Sequence, residues 1–178
     1  MVKNLLKACF MMAALTAAGQ AAAETYTVGS GGTYRPFEFE NSQKQLEGFD
    51  IDIIKAIAKA EGFDVKLVNT PWEGIFATLN TGDRDIIISG ITITDKRKQM
   101  VDFSAPYFPA EQSIVVAQDS KVDSLAALKN EKVGVVNSST GDIVVSEVLG
   151  KNSTAIKRFD NTPVMLQELF EDGVSAAV

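Results

Sequence analysis

Residues 85–107 read DIIISGITITDKRKQMVDFSAPY, and the reading of this stretch decides the fold. Ile86, Ile87 and Ile88 are apolar on both faces, the pattern of a central strand in a parallel sheet covered by helices above and below. Ser89 and Gly90 end the run. In open α/β sheets the ligand crevice lies beyond the carboxyl ends of the strands, so the residues after Gly90 are candidates for a site. Thr92 and Thr94 bring hydroxyls. Thr94 is also placed to cap a short helix from Asp95 to about Val101, whose free amides and positive dipole end favour a carboxylate. Arg97 sits one turn in, with a planar fork that grips a carboxylate through two parallel hydrogen bonds. Residue chemistry alone leaves two readings of Arg97 open: an anion anchor, or a solvated charge in a DKRK run.

Upstream, Val65–Val68 is the preceding strand, and Trp72, Ile75, Phe76 and Leu79 form the apolar stripe of the helix after it. Pro71 pre-sets that helix's first turn and leaves Trp72 near the carboxyl end of the strand. Between Gly48 and Glu61, Phe49, Ile53, Ile54, Ile57 and Ala58 recur at helical spacing, with Asp50, Asp52, Lys55 and Lys59 turned outward. Tyr26–Ser30 is a short strand, followed by a glycine-rich loop, GSGGTYRPFEF (29–39). A dinucleotide fingerprint needs a third glycine at position 34, where tyrosine stands, and that reading fails. Tyr34 and Trp72 each keep a core reading beside a crevice-wall reading.

Downstream, Pro106 and Pro109 suit an extended, semi-rigid crossing rather than a helix. Gln112–Val116 then begins a second β/α series. It continues with a short helix at Ser124–Lys129, a strand at Lys132–Val136, a helix at Gly141–Leu149 and a strand at Ala155–Phe159. Thr162 and Pro163 open a last helix that runs to about Asp172. The loop NSSTGD (137–142), rich in amides and hydroxyls at a helix start, reads either as an anion-friendly loop or as an ordinary capped turn.

GITITDKRKQMVDFSAPYF (90–108) resembles the signature of the bacterial extracellular solute-binding proteins that deliver polar amino acids to ABC importers. PFEF (36–39), GFDIDIIKAIAKAEGF (48–63) and PWEGIFATLNTGDRDI (71–86) are similar to that family too, in the same order. The resemblance covers the chain after residue 24, is strongest to the glutamine-binding branch and weakens after residue 142. It implies an α/β, two-lobe periplasmic binding protein fold of type II, with the second lobe and the return to the first incomplete. The first lobe would occupy 24–106, a hinge strand 107–111 and the partial second lobe 112–178.

The same resemblance implies an L-amino acid as ligand and a membrane permease as partner. Arg97 would hold the α-carboxylate, helped by the amides of Thr92 and Thr140, with Gly141 in the second lobe's share of that grip. The Gly90 carbonyl and Thr92 hydroxyl would take the ammonium, and Tyr34 and Trp72 would wall the side chain. Members with basic or amide ligands often carry an acid where this chain has Gly31, and glutamine-type binders carry a lysine where it has Asn137. A neutral or polar ligand side chain therefore fits the sequence slightly better than a basic one. Ser175–Val178 looks like the start of a strand whose following residues in the family include an aspartate for the ammonium. The expectation is a truncated product or a fragment, exposing a face of the first lobe and prone to aggregate or dimerise, with a monomer expected of a complete form. A rival on the same scaffold is an enzyme, such as the periplasmic cyclohexadienyl dehydratases.

Composition narrows the classes further. Lys3 and Lys7, an apolar run from Ala8 to Ala18 and Ala21–Ala23 read as a secretory signal over residues 1–23, which places the mature chain in the periplasm. The apolar run is too short for a membrane anchor. The signal contains the single cysteine, Cys9, and the chain has no histidine. The mature part thus lacks disulfides, thiolate and imidazole metal ligands and the usual nucleophile–base pairs, so catalysis would have to rest on carboxylates, lysine, tyrosine or serine; no cofactor is expected, and the resemblance implies a binding protein, not an enzyme. Without the signal, fifteen basic face 23 acidic side chains. That balance, with no basic cluster, argues against nucleic acid.

Overall fold

The computed structural model describes residues 23–178, and residues 1–22 of the expected signal segment lie outside that range. The first sheet is parallel throughout. β1 (Thr25–Ser30) lies in its middle, with β5 (Asp64–Asn69) on one side and β6 (Ile86–Ile87) on the other. Val28 pairs with Leu67 and with Ile86, which lines up the carboxyl ends of all three strands. The isoleucine run therefore forms an edge of this sheet rather than its centre. Only Ile88, just past the strand, is buried, packing with Val28 and Ile54. Apolarity on both faces reports cover by other elements; it carries no information about which strands pair alongside.

Between β1 and the first helix the chain forms a three-stranded antiparallel meander, β2 (Thr33–Tyr34), β3 (Glu38–Glu40) and β4 (Leu46–Glu47), where the sequence suggested a loop. Helix α1 (Phe49–Glu61) starts at Gly48, where a Cβ would lie 2.3 Å from the Phe37 carbonyl oxygen, so only glycine fits. Gly62 closes it in the left-handed conformation, its amide donating to Ala58 O. The buried face of α1 is Asp50, Ile51, Ile54 and Ala58. Phe49 and Ile57, expected inside, are exposed, and Asp50, expected outside, is fully buried. Isoleucines at 51, 53, 54 and 57 offer two overlapping stripes, and the choice falls to the partners that Asp50 meets.

Helix α2 (Ile75–Asn80) begins at a left-handed Gly74, so Trp72 precedes the helix instead of lying on it. Helix α3 is one turn, Asp95–Lys98, and Thr94 caps it as expected: Arg97 N donates to Thr94 Oγ1 at 3.2 Å. The stretch expected as a hinge strand, 107–111, makes no ladder pairing, and of 112–116 only Val115–Val116 (β7) pairs.

The second sheet has the order β7, β10 (Ala176–Ala177), β8 (Val133–Val136), β9 (Ile156–Phe159). β7 is antiparallel to β10 and the remaining pairs are parallel. The strand expected to begin at Ser175 is thus present and lies inside the sheet. A 3₁₀ turn (Ala126–Asn130), α4 (Thr140–Leu149) and α5 (Thr162–Phe170) complete this lobe. Its core is Leu128, Val133, Val135, Val145, Ile156 and Ala176, with a second cluster of Met165, Leu169, Val174 and Ala177 under α5. Each such valine, leucine or isoleucine contributes about 1.5–3 kcal/mol by its burial. Asn161 caps α5, its Oδ1 accepting from Val164 N, with Pro163 in the first turn.

Candidate functional site

The cleft is built by loops that leave the carboxyl ends of strands in both sheets. Trp72 follows β5, residues 88–94 follow β6, and Asn137–Ser139 follow β8. Arg97 reaches in from the single turn of α3, where the Thr94 cap orients the helix start. The residue is 6% exposed, and its guanidinium donates to Thr92 O at 2.9 Å and to Ser138 O at 3.4 Å. The latter bond crosses between the lobes. The guanidinium lies 5.2 Å from the Trp72 ring and 5.3 Å from the Phe76 ring. Among the described residues no carboxylate pairs with Arg97, so a buried cation is held by carbonyls and aromatic faces alone. Burial pulls its proton affinity below the ordinary arginine value.

Trp72 Nε1 donates to Asn137 O at 2.9 Å, and its ring meets Phe76 edge-on at 6.2 Å. A cavity of about 150 Å³ lies here, lined by Trp72, Phe76, Asn137, Ser138 and Asp160. Tyr34 stacks on Phe37 at 5.5 Å and backs onto Gly90. A Cβ at Gly90 would stand 3.0 Å from Tyr34 Cε1, and the residue has φ 55°, so glycine serves both the turn and the ring's approach. The geometry thus gathers Trp72, Thr92 and Arg97 with the second lobe's loop, and Tyr34 with Gly90.

The loop 137–142 is a capped turn. Asp142 N donates to Ser139 Oγ, and Ser138 N to Asp142 Oδ2. Asp142 is also gripped by Arg158, whose Nε lies 3.0 Å from both its oxygens. Burial works to raise its pKa, but the Arg158, Ser138 and Ser146 bonds hold it below the usual carboxylate value. This leaves the amides of Thr140 and Gly141, in the first turn of α4, without an intrahelical acceptor. The Thr140 hydroxyl accepts from Gln112 Nε2 at 3.0 Å. Gly141 is buried against the backbone of Val178, where a Cβ would stand 2.5 Å from the carbonyl oxygen.

Two buried acids that the sequence reading did not single out lie beneath the first lobe's loops. Glu38 is 2% exposed; its Oε1 accepts from the Ser89 hydroxyl at 2.7 Å, and Ser89 Oγ accepts from the Gly31 amide at 3.0 Å. Glu38 Oε2 has no partner among the described residues. Burial, opposed by the Ser89 bond and reinforced by Asp50, raises the Glu38 pKa to about 8. Asp50 is raised too, by burial, against the bonds it accepts from Gly90 N at 2.6 Å and from the Tyr107 hydroxyl at 2.9 Å. Only their place within PFEF and GFDID marks these acids in the sequence.

Comparison with known proteins adds the lineage. The profile of the bacterial extracellular solute-binding proteins, family 3, matches residues 26–176. A probable histidine-binding protein of Neisseria gonorrhoeae is 44% identical over 87% of this chain and 58% of its own length. The arginine-, lysine-, histidine-binding protein ArtJ of Geobacillus stearothermophilus superposes with a TM-score of 0.83 at 41% identity, over 86% of this chain and 66% of that one. The ancestral amino acid-binding protein AncCDT-1, a precursor of cyclohexadienyl dehydratase, superposes at 0.80 and 40% identity, over 86% of this chain and 68% of that one. The architecture is accordingly that of the two-lobe type II binding proteins, of which this chain spans about 58% to 68% in these three comparisons. With its parallel first lobe, its cleft arginine and a match along nearly the whole described chain, the protein belongs to the bacterial extracellular solute-binding proteins, family 3.

Proposed function

We propose that the chain is the substrate-binding component of an amino-acid ABC importer, capturing an L-amino acid between its lobes in the periplasm and presenting it to a membrane permease. The observation that carries this reading is Arg97. A buried arginine whose guanidinium is hydrogen-bonded only to carbonyls and has no acidic partner among the described residues is compensated by an anion arriving from outside. The α-carboxylate suits it in charge and in planar geometry. On this reading, the unsatisfied amides of Thr140 and Gly141 assist across the cleft, the Gly90 carbonyl and Thr92 hydroxyl take the ammonium, and Tyr34 and Trp72 flank the side chain.

A basic amino acid is the ligand class we favour. The relatives named for histidine and for arginine, lysine and histidine support it. This departs from the neutral or polar side chain suggested by Gly31 and Asn137. Titrating the protein with each of the twenty amino acids, following Trp72 fluorescence and calorimetry together, tests the reading. Micromolar binding of arginine, lysine or histidine is expected, and binding of glutamine alone would move the ligand class to amides.

The resemblance to a precursor of cyclohexadienyl dehydratase keeps one rival in view. Loss of water and carbon dioxide from prephenate or arogenate in the presence of the protein would replace the binding-only account with an enzymatic one.

A further inference from the structure

Asp50 is fully buried in the first turn of α1, yet both of its carboxylate oxygens serve groups far away in the chain. The Gly90 amide, 40 residues on, donates to Oδ2 at 2.6 Å, and the Tyr107 hydroxyl, 57 residues on, donates to Oδ1 at 2.9 Å. Among the described residues no lysine or arginine pairs with Asp50, so these bonds are what compensates its desolvation. Gly90 is the left-handed turn residue of the cleft loop and carries the Tyr34 ring against its Cα. The bond to Oδ2 fixes the Ser89–Gly90 peptide plane, and the left-handed dihedrals of Gly90 carry that orientation on to the next peptide, which bears the Gly90 carbonyl, and seat that ring. Tyr107 stands where the chain leaves the first lobe: residues 102–114 have no helix or ladder, and β7 belongs to the second sheet. One buried carboxylate thus ties the cleft loop to the interlobe segment.

We infer that Asp50 is a positioning residue for the amino-acid site, holding the Ser89–Gly90 peptide in its binding orientation and coupling it to the interlobe segment through the Tyr107 hydroxyl. The inference rests on the proposed binding function for its ligand half; the coupling half concerns the protein without ligand. If the cleft loop shifts when an amino acid engages Gly90 and Thr92, Asp50 carries that shift to Tyr107, because parting either bond leaves a buried carboxylate oxygen unsatisfied. An acid that merely fastens α1 to the sheet has no such reach. In that case, because the Gly90 amide also lies close to the Tyr107 hydroxyl, loss of that hydroxyl would shift Gly90 equally with aspartate or asparagine at position 50.

The test uses Tyr107→Phe, which removes one oxygen atom and keeps the ring, beside Asp50→Asn and the double variant. Proton–nitrogen correlation spectra of the ligand-free proteins read the Gly90 amide directly. Its proton resonance should lie well downfield in the parent, move measurably in Tyr107→Phe and move upfield further in Asp50→Asn. Calorimetric titration with L-arginine and L-histidine should show Kd raised about threefold by Tyr107→Phe and at least tenfold by Asp50→Asn, with the double variant no weaker than Asp50→Asn. A Gly90 amide that is unmoved in a folded Tyr107→Phe protein, or that the same substitution moves as far when position 50 is asparagine, overturns the coupling, whether or not the chain binds amino acids. A parent that binds and variants that bind equally well overturn the positioning role alone. A parent that binds none of the twenty amino acids overturns the proposed function and the ligand half with it, and the Gly90 resonance then decides the coupling.

Discussion

The indole nitrogen of Trp72 donates to the backbone carbonyl of Asn137 at 2.9 Å, and this single bond spans 65 residues and joins the two lobes across the cleft. Trp72 belongs to the loop after β5 and Asn137 to the loop after β8, so the bond closes only when the two sheets come together. The Arg97 bond to Ser138 O runs beside it. Both acceptors are backbone carbonyls, which gives the closed arrangement a geometry independent of the side chain at 137.

Trp72→Phe should loosen this closure. A neutral hydrogen bond contributes about 0.5–1.5 kcal/mol net, so amino-acid affinity should fall roughly two- to tenfold while the fold persists. Calorimetry gives the affinity, and small-angle scattering of the ligand-free protein should show a larger radius of gyration. Unchanged values in both would mean that the bond contributes nothing to closure.

Arg97 makes opposite predictions for binding and for stability. Arg97→Lys loses the planar fork and should weaken binding by about 2–5 kcal/mol, as truncated buried charge pairs do. Arg97→Met removes a desolvated cation without an acidic partner, so it should abolish binding and raise the melting temperature of the ligand-free protein. A lower melting temperature would show that the bonds to Thr92 and Ser138 outweigh the desolvation.

Stability should fall as the pH rises through the range set by Glu38. Its folded pKa, about 8, lies above the ordinary 4.5, so between those values the folded protein holds a proton that the unfolded chain has released. Stability is then lost progressively as pH rises from about 4.5 to about 8 and levels off above, an effect on the order of a few kcal/mol. Asp50, raised in the same direction, adds to the slope at its lower end. Asp142, which is lowered, acts oppositely, losing its contribution only as pH falls below the usual carboxylate range. Urea denaturation at pH 5 and pH 8 should show the drop, and Glu38→Gln should flatten it.

Gly141→Ala tests the packing of α4 on β10. The added Cβ would stand 2.5 Å from the Val178 carbonyl oxygen and 2.8 Å from its carbon, so backbone must move. A destabilisation of about 1–3 kcal/mol is expected. At Gly62 a Cβ meets nothing within 4 Å, and alanine costs only the left-handed backbone, about 1 kcal/mol. Denaturant midpoints of the two variants should separate accordingly.

Much of this protein was legible in one dimension because it rests on local physics. The alternation of strands and helices follows from hydrophobic period, the Thr94 cap and the short helix after it from side-chain reach over three residues, and the cleft from loops beyond strand ends. Arg97 was legible as a candidate anion fork, but residue chemistry left a solvated charge equally open and only the family resemblance favoured the anchor. Tertiary structure decided the rest, since the deciding partners lie far apart in the chain. Asp50 looks like a surface charge until Gly90 and Tyr107 arrive, and its inward turn rotates α1 so that Phe49 and Ile57 face out. Glu38 is buried because Ser89, 51 residues on, folds over it, and the meander that carries it looked like a glycine-rich loop. Ile86–Ile88 specified an apolar strand but not its place at the sheet's edge, because strand order depends on which distant segments pair. Sequence determined which segments form and what chemistry they offer; the meeting of segments 40 to 65 residues apart decided which polar groups are buried and where the two lobes touch.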